Sequence, residues 1–273
     1  MLYNQSKQFY YSGGEYANIP RSYVGLVGRV TYDYANKYMA EFNIGYNGSE
    51  NFAPGRRFGT FPAGSLGWIL SEEKFWKPIS KVVSFFKIRG SWGLVGNDKT
   101  TNALYRFRYL PDPYYTGSYG LTNNYSDWND SYGYLFGDAA SGTVQGTSAL
   151  AGAYEAVKNN PELGWEKAFK QDYGFDMYFL NDRIKTTFDY YRERRTNIMV
   201  LDQTVPSSIG FTMPYTNAGE TKSWGWELSL GYNDKIGKNF RLWGKLNLSY
   251  NQNEIVEMKE KPQKNEYMFA RGH

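Results

Sequence analysis

The feature that most constrains this fold is an alternation of apolar and polar side chains on both sides of a short polar turn, in residues 224–250. Apolar side chains such as Trp226 and Leu246 occupy even positions, and polar ones such as Glu227 and Lys245 occupy odd positions. Successive side chains of a strand point to opposite faces, so this period of two predicts an antiparallel hairpin with one apolar and one polar face. The open question is whether the apolar face contacts a protein core or lipid.

The same alternation recurs along the chain. It is clear in residues 23–46 and 165–190, and weaker in 59–70 and 84–95. Together with the first hairpin, these segments predict about eight long strands and almost no helix.

Two short helical stretches are predicted between strands. One begins at Ser71 as an N-cap and ends at Pro78, and the other is a single turn near Ala149–Lys158. The connections alternate in length, which places short turns at one end of an up-and-down meander and long loops at the other. The shorter connections are 35–37, 71–83, 180–183 and 234–239, and the longer ones are 48–58, 96–163 and 196–220.

Strand length and aromatic placement favour lipid contact. The predicted strands have ten or more residues, whereas strands of soluble sheets usually have about five or six. Aromatic residues make up 19% of the chain, and many lie where strands begin and end, as in the girdles of a membrane barrel. The mean hydropathy of −0.64 excludes a helical membrane protein, but it is compatible with a barrel whose lumen and loops are polar.

Composition removes several classes of chemistry. The chain has no cysteine and one histidine, His273, which argues against disulfides, thiolate or histidine metal sites and serine triads. The net charge is +4, and the basic cluster at Arg192, Arg194 and Arg195 is interpreted as a solvated strand end rather than a nucleic-acid site. No metal site, cofactor or enzymatic activity is predicted.

Residues 96–163 form the connection best suited to recognition. They interleave Tyr and Trp with Asp, Asn and Gly, a mixture in which aromatic rings stack on sugar or apolar faces and polar groups bind hydroxyls or amides. The candidate ligand-binding residues are Tyr114, Tyr115, Trp128 and Tyr132.

The residues also resemble a known family. The phrases "FPAGSLGW", "RGSWGLVGND", "NPELGWE" and "NAGE" occur in the order and spacing of SusC/RagA-type TonB-dependent outer-membrane transporters. The resemblance covers roughly residues 20–260 and implies an all-β chain, an antiparallel meander of about eight long strands. Such a meander is a sector of a transmembrane barrel of about 22 strands. Residues 1–273 are therefore expected to be an internal fragment of the C-terminal barrel region, without signal peptide, plug domain or the remaining strands.

The resemblance further implies location in the outer membrane of a Gram-negative bacterium. It implies uptake of a nutrient oligomer, a glycan or a peptide, with a SusD-like lipoprotein as partner and energy from the TonB complex through the absent plug. On this interpretation the polar strand face lines the lumen, through Glu41, Arg89, Asp172, Asp189, Glu227 and Lys245.

Three alternatives remain open from the residues alone. The first is a soluble β-sheet carbohydrate-binding module, and the second is a small closed eight-stranded outer-membrane barrel. The third, a hydrolase with a carboxylate pair, is the weakest.

Overall fold

A computed structural model describes residues 1–8, 20–98, 109, 114–118, 151–155, 158–206, 213–237 and 239–273. Nine strands form one antiparallel sheet, and two more form a separate hairpin. The strands of the large sheet are β1 (Leu2–Gln8), β2 (Arg21–Tyr34), β3 (Tyr38–Ser49), β4 (Phe58–Ile69), β5 (Val83–Asn97), β8 (Glu166–Phe179), β9 (Ile184–Leu201), β10 (Tyr215–Ile236) and β11 (Phe240–Glu257). The hairpin consists of β6 (Tyr114–Ser118) and β7 (Ala151–Glu155).

Neighbours in the large sheet are neighbours in the chain, except that the β6–β7 hairpin is inserted between β5 and β8. The fold is therefore the predicted all-β meander, with nine strands in the sheet instead of about eight. Strands β1 and β11 are its two edges and do not pair with each other within the described residues. The open sheet argues against the small closed eight-stranded barrel.

The connections divide between two ends, as predicted. The short-turn end carries residues 35–37, 70–82, 180–183 and 237–239, and the long-loop end carries the connections after β1, β3, β5 and β9. The tight turns adopt left-handed backbone conformations at Asn36 (φ 54°) and Asn181 (φ 58°), which asparagine tolerates better than most residues. Asp33 Oδ1 accepts a hydrogen bond of 3.0 Å from the backbone N–H of Asn36, which stabilises the first turn.

The structure has helical residues before Pro78 as predicted, but it contradicts the N-cap at Ser71 and the second helical prediction. Two 3₁₀ helices, Leu70–Glu72 and Lys74–Trp76, replace the predicted helix, and the Ser71 side chain caps neither. The reason is that Glu73 is extended (φ −80°, ψ 148°) between the two 3₁₀ helices, where its carboxylate accepts hydrogen bonds from Tyr38 and Trp68. The turn predicted within Ala149–Lys158 is instead strand β7, which pairs with β6.

Buried apolar residues are few and lie at the long-loop end. Among the described residues they are Phe52, Phe61, Leu163, Trp165 and Ala168, and the first four form one cluster. The described residues contain no helix long and apolar enough to cross a membrane. A two-layer soluble sandwich would bury the middle of its strands, whereas here the middle of the sheet is exposed on its apolar face.

Candidate functional site: the polar face of the sheet

The centre of the polar face is a charge cluster around Arg89 of β5. Its guanidinium Nη2 lies 2.6 Å from Oδ1 of Asp189 on β9, two strands away. Its Nη1 lies 3.4 Å from a carboxylate oxygen of Asp172, and its Nε lies 3.4 Å from one of Asp176, both on β8. One cation thus bridges three carboxylates on two strands, and all four side chains remain partly exposed.

A glycine makes this arrangement possible. Gly174 of β8 lies in register between Arg89 and Asp189. A Cβ atom at this position would overlap Asp189 Oδ1, lie 2.8 Å from the carbonyl oxygen of Phe188 and lie 3.1 Å from Arg89 Cζ. Because Gly174 has no side chain, Arg89 crosses over β8 to reach β9.

All six residues predicted to line the lumen lie on this one face. Strand register places Arg89, Asp189 and Glu227 in a single row across β5, β8, β9 and β10. Glu41 lies on β3, where Arg29 donates to it at 2.5 Å and Asn43 at 2.7 Å, and Lys245 lies on β11 opposite Gly231. A depression of about 440 Å³ brings Glu41, Arg89 and Asp172 together among its lining residues. That these residues line a lumen stays a prediction.

The opposite face is apolar and exposed. Its central side chains include Val30, which is 68% exposed, Phe42, Leu66 and Leu246. Aromatic residues frame the face on β3 and β4: Tyr38 stacks on Trp68 at the short-turn end, and Tyr46 stacks on Phe58 at the other end.

The two aromatic groups are spaced to match a bilayer. Tyr38 and Tyr46 are eight residues apart, which corresponds to about 27 Å along an antiparallel strand. At the strand tilt of about 35–45° found in membrane barrels, this length spans about 19–22 Å along the membrane normal, so both rings lie near the edges of an apolar band about 25 Å tall. The apolar face therefore has the composition and height of a lipid-contacting surface.

The predicted ligand-binding residues are not brought together with the polar cluster in the described residues. Tyr114 and Tyr115 belong to β6, where their partners in register are Glu155 and Tyr154 of β7. Trp128 and Tyr132 lie outside the described residues. Their role in recognition stays a prediction.

The basic cluster of β9 is divided between the two faces. Arg194 pairs with Glu220 of β10 at 2.8 Å, while Arg195 pairs with Glu193 at 2.8 Å on the polar face. Glu193 also contacts Lys170 at 3.1 Å. These partly exposed ion pairs at the long-loop end join β8 to β9 and β9 to β10, except that Arg195 and Glu193 both belong to β9.

Sequence reasoning missed a hydrogen-bonded junction at the long-loop end. Asn217 accepts a hydrogen bond from the Gly164 N–H at 2.8 Å, and its amide donates to the carbonyls of Gly164 at 3.0 Å and Asn197 at 2.8 Å. Trp165 donates to the Arg57 carbonyl at 3.1 Å. The phrases "NPELGWE" and "NAGE" contain these residues, so the signal was visible but was assigned no physical role.

Three carboxylates of the polar face are held by Arg89. Within the described part of the chain, no group of three or more His, Asp or Glu residues is arranged to hold a metal ion. The three aspartates share Arg89 as a common counter-ion instead.

Comparison with known proteins then decides the family. The family model described as "TonB dependent receptor-like, beta-barrel" matches residues 3–269. The chain belongs to this TonB-dependent receptor β-barrel family. Members of the family are β-barrel proteins of the Gram-negative outer membrane, which is therefore the location of this chain.

Two relatives illustrate the relationship within the family. The chain is 30% identical over 236 residues to the TonB-dependent receptor SusC of Bacteroides thetaiotaomicron. The matched region covers 86% of this chain and 21% of SusC. It is 28% identical over 233 residues to the TonB-dependent receptor P39 of Formosa agariphila, and the matched region covers 85% of this chain and 19% of P39. The chain therefore spans about one fifth of the length of these relatives.

A solved structure shows the same fold. The RagAB peptide importer in its open-open state superposes with a TM-score of 0.67 at 20% identity, over 88% of this chain and 22% of the importer chain. At this level of identity the likeness concerns the fold alone. It confirms the arrangement of a barrel sector.

Proposed function

We propose that this chain forms part of the wall of a TonB-dependent outer-membrane importer that takes up a nutrient oligomer, either a glycan or a peptide. The observation that carries the proposal is a single nine-stranded meander with one charged face and one exposed apolar face of bilayer height. In a barrel of this family, the apolar face contacts lipid and the charged face lines the lumen.

The charge cluster gives the lumen wall a defined role. Arg89 with its three aspartates, together with Glu227 and Lys245, keeps the interior hydrated and offers hydrogen-bonding groups to whatever occupies the lumen. A plug domain carried elsewhere in the whole protein is the proposed occupant, and TonB is the proposed source of energy through that plug. We assign no catalytic step to the chain.

Relatives support the proposed cargo and partner. SusC and the RagAB peptide importer are both similar to this chain, and the RagAB importer is named for peptides. On this basis we propose a SusD-like surface lipoprotein as the partner at the long-loop end. Tyr114, Tyr115, Trp128 and Tyr132 are the proposed ligand contacts in the long connection between β5 and β8.

Charge reversal on the polar face tests the importer role. The variants Asp172→Lys and Glu227→Lys are introduced into the full-length transporter, and uptake is measured as growth on defined oligosaccharides or on a peptide mixture as sole carbon source. Glu266→Lys is the matched control, because Glu266 is exposed and lies outside the sheet. We expect both polar-face variants to reduce growth at unchanged surface amount, whereas equal growth of all three variants would refute the role of this face.

The choice between glycan and peptide follows from the same assay. If growth requires the transporter only when oligosaccharides are the carbon source, the substrate is a glycan. If it requires the transporter only when peptides are the carbon source, the substrate is a peptide. Alanine replacement of the four candidate aromatic residues should raise the concentration that gives half-maximal uptake. Tyr267→Ala is the control, since Tyr267 is 77% exposed beyond β11.

The partner is tested separately. Affinity purification of the tagged full-length transporter from its native outer membrane should recover a surface lipoprotein in equal amount. Recovery of the transporter alone, at detergent concentrations that preserve other outer-membrane complexes, would contradict the proposed partnership.

A further inference from the structure

The segment of residues 70–82, which connects β4 to β5 at the short-turn end, folds back over the apolar face. Glu73 accepts hydrogen bonds from the Tyr38 hydroxyl at 2.7 Å and the Trp68 indole at 3.4 Å, and both aromatic residues belong to that face. Trp76 stacks on Phe86, with 5.3 Å between ring centroids, and Phe86 lies on the same face of β5. The segment therefore lies on the side of the sheet that contacts lipid.

The segment is held in one conformation by its own hydrogen bonds. The Trp76 indole donates to the Val83 carbonyl at 3.1 Å, and the backbone N–H groups of Ile79 and Ser80 donate to the Trp76 carbonyl at 2.9 and 3.1 Å. Trp76 is thus the point at which the segment is attached to the start of β5.

The side chains that it presents are of two kinds. Phe75, Ile79 and Val82 are apolar and about half exposed, at 59%, 47% and 57%. Next to them in the sequence are three exposed lysines, Lys74, Lys77 and Lys81, and no salt bridge to any of them occurs within the described residues. The nearby carboxylate of Glu73 is already occupied by its two aromatic donors and by Lys37 at 3.5 Å.

We propose that segment 70–82 is an anchor in the periplasmic leaflet of the outer membrane. Phe75, Ile79 and Val82 insert at the boundary between headgroups and acyl chains. Lys74, Lys77 and Lys81 bind the phosphates of phospholipid headgroups.

Three observations select a lipid surface as the occupant. The segment is continuous with the apolar face, since Trp76 and Glu73 contact members of that face. Apolar and basic residues in alternation are the composition of interfacial membrane segments, in which anionic lipids attract the lysines. Short barrel turns lie on the periplasmic side, so the leaflet in contact is the inner one.

The insertion is tested by spin labelling of the full-length transporter in lipid nanodiscs. The chain has no cysteine, so each introduced cysteine is unique within it. Labels are placed by Phe75→Cys and Ile79→Cys, with Phe42→Cys as the lipid reference and Asn36→Cys, in a neighbouring turn, as the aqueous reference. Collision rates with molecular oxygen and with a water-soluble nickel chelate are compared by power saturation.

We expect the label at Ile79 to collide more with oxygen than with the nickel chelate, as at Phe42, and the reverse at Asn36. A label at Ile79 that behaves like Asn36 overturns the anchor. A label shielded from both agents overturns it in favour of a protein partner. If Phe42 itself is exposed to the nickel chelate, the barrel assignment fails, so the two failures are distinguishable.

The headgroup contact is tested with a matched pair of variants. Nanodiscs of phosphatidylcholine are compared with nanodiscs in which part of it is replaced by phosphatidylglycerol. Added phosphatidylglycerol should lower the collision rate of the nickel chelate at Ile79 several-fold, and the double variant K77Q/K81Q should abolish this change. K261Q/K264Q, which alters two exposed lysines after β11, should retain it. A response that is unchanged by K77Q/K81Q, or absent in the parent, overturns the lysine assignment.

Discussion

The substitution Gly174→Ala tests the central structural claim about the polar face. A Cβ atom at position 174 would overlap Asp189 Oδ1 and lie 2.8 Å from the Phe188 carbonyl oxygen. The carboxylate must therefore move away from Arg89, and the backbone of β9 must shift as well. Gly231 of β10 is the matched control, because it lies on the same face and a Cβ there would meet only the Lys185 carbonyl oxygen, at 3.8 Å.

The magnitude follows from three terms. Loss of an ion pair whose side chains are 33% and 20% exposed costs about 1–2 kcal/mol, between the values for exposed and buried pairs. Forced displacement of packed groups adds about 1–3 kcal/mol. Replacing a strand glycine by alanine returns about 0.5–1 kcal/mol, since the unfolded chain loses freedom. The net expectation is destabilisation of about 1–4 kcal/mol for Gly174→Ala and slight stabilisation for Gly231→Ala.

The measurement is urea unfolding of the full-length transporter in detergent micelles, followed by tryptophan fluorescence and by heat-modifiable migration on gels. A second background, Asp189→Ala, removes the overlapping carboxylate, so Gly174→Ala should cost less there than in the parent. Equal unfolding midpoints for the two glycine variants would refute the reasoning, and so would strict additivity of Gly174→Ala with Asp189→Ala.

Three further predictions concern the two ends of the sheet. Asn217→Ala should destabilise the transporter by about 2–3 kcal/mol, since it leaves backbone groups of Gly164 without a partner, whereas exposed Asn251→Ala should change the urea midpoint little. Trp165→Ala should lower the free energy of unfolding by about 3–5 kcal/mol, because it opens a cavity in the buried cluster. Trp243 is 74% exposed, so Trp243→Ala should change it little, and the same unfolding assay measures both variants. Hydrogen bonds from Tyr38 and Trp68, with Lys37 nearby, hold the pKa of Glu73 below its ordinary value of 4.5. The order that these contacts give to segment 70–82 should therefore be complete above pH 4.5. It should be lost as the pH falls through the lowered pKa of Glu73 in the folded protein. A spin label at Ile79 should become mobile in that acidic range, and Glu73→Gln should remove the pH dependence.

The two faces of the sheet were predictable because they depend only on the parity of residue numbers within each strand. A side chain at an odd position of β10 after Thr221, such as Glu227, shares its face with the other odd positions of that stretch regardless of what the strand contacts. The structure confirms that parity in the regularly paired stretches of β2–β5 and β8–β11, and it is interrupted at Val83–Phe85 and around Gly219. Alternation is therefore sufficient to assign faces.

Contacts across strands were not predictable in the same way. Arg89 and Asp189 are 100 residues apart, and their meeting depends on β8 lying between them with a glycine in register. The sequence placed both on one face, but it carried no signal for the crossing over Gly174. Only the register of three strands together reveals that cluster.

Elements without an apolar face were missed. Strand β1, with the sequence LYNQSKQ, has polar side chains at both parities and is held by its pairing with β2. Residues 196–220 were predicted as a long connection, yet β9 extends to Leu201 and β10 begins at Tyr215. Irregular register around Gly219 allows this pairing to continue, and local propensity does not report such irregularities.

The small number of buried apolar residues is a consequence of the medium rather than a sign of weak folding. In water, a chain of this length would need a large core to offset its conformational entropy, and the described residues supply one cluster of four. The rest of the apolar surface lies on one face of the sheet, where lipid completes the burial that water would oppose. The cluster at Phe52, Phe61, Leu163 and Trp165 lies toward the long-loop end. Phe61 pairs with Gly45 and has the odd parity of the polar face of β4, so the cluster is on the side of the sheet that lipid does not cover. This is the place where a protein core is required, and it is where the asparagine junction and the buried tryptophan are found.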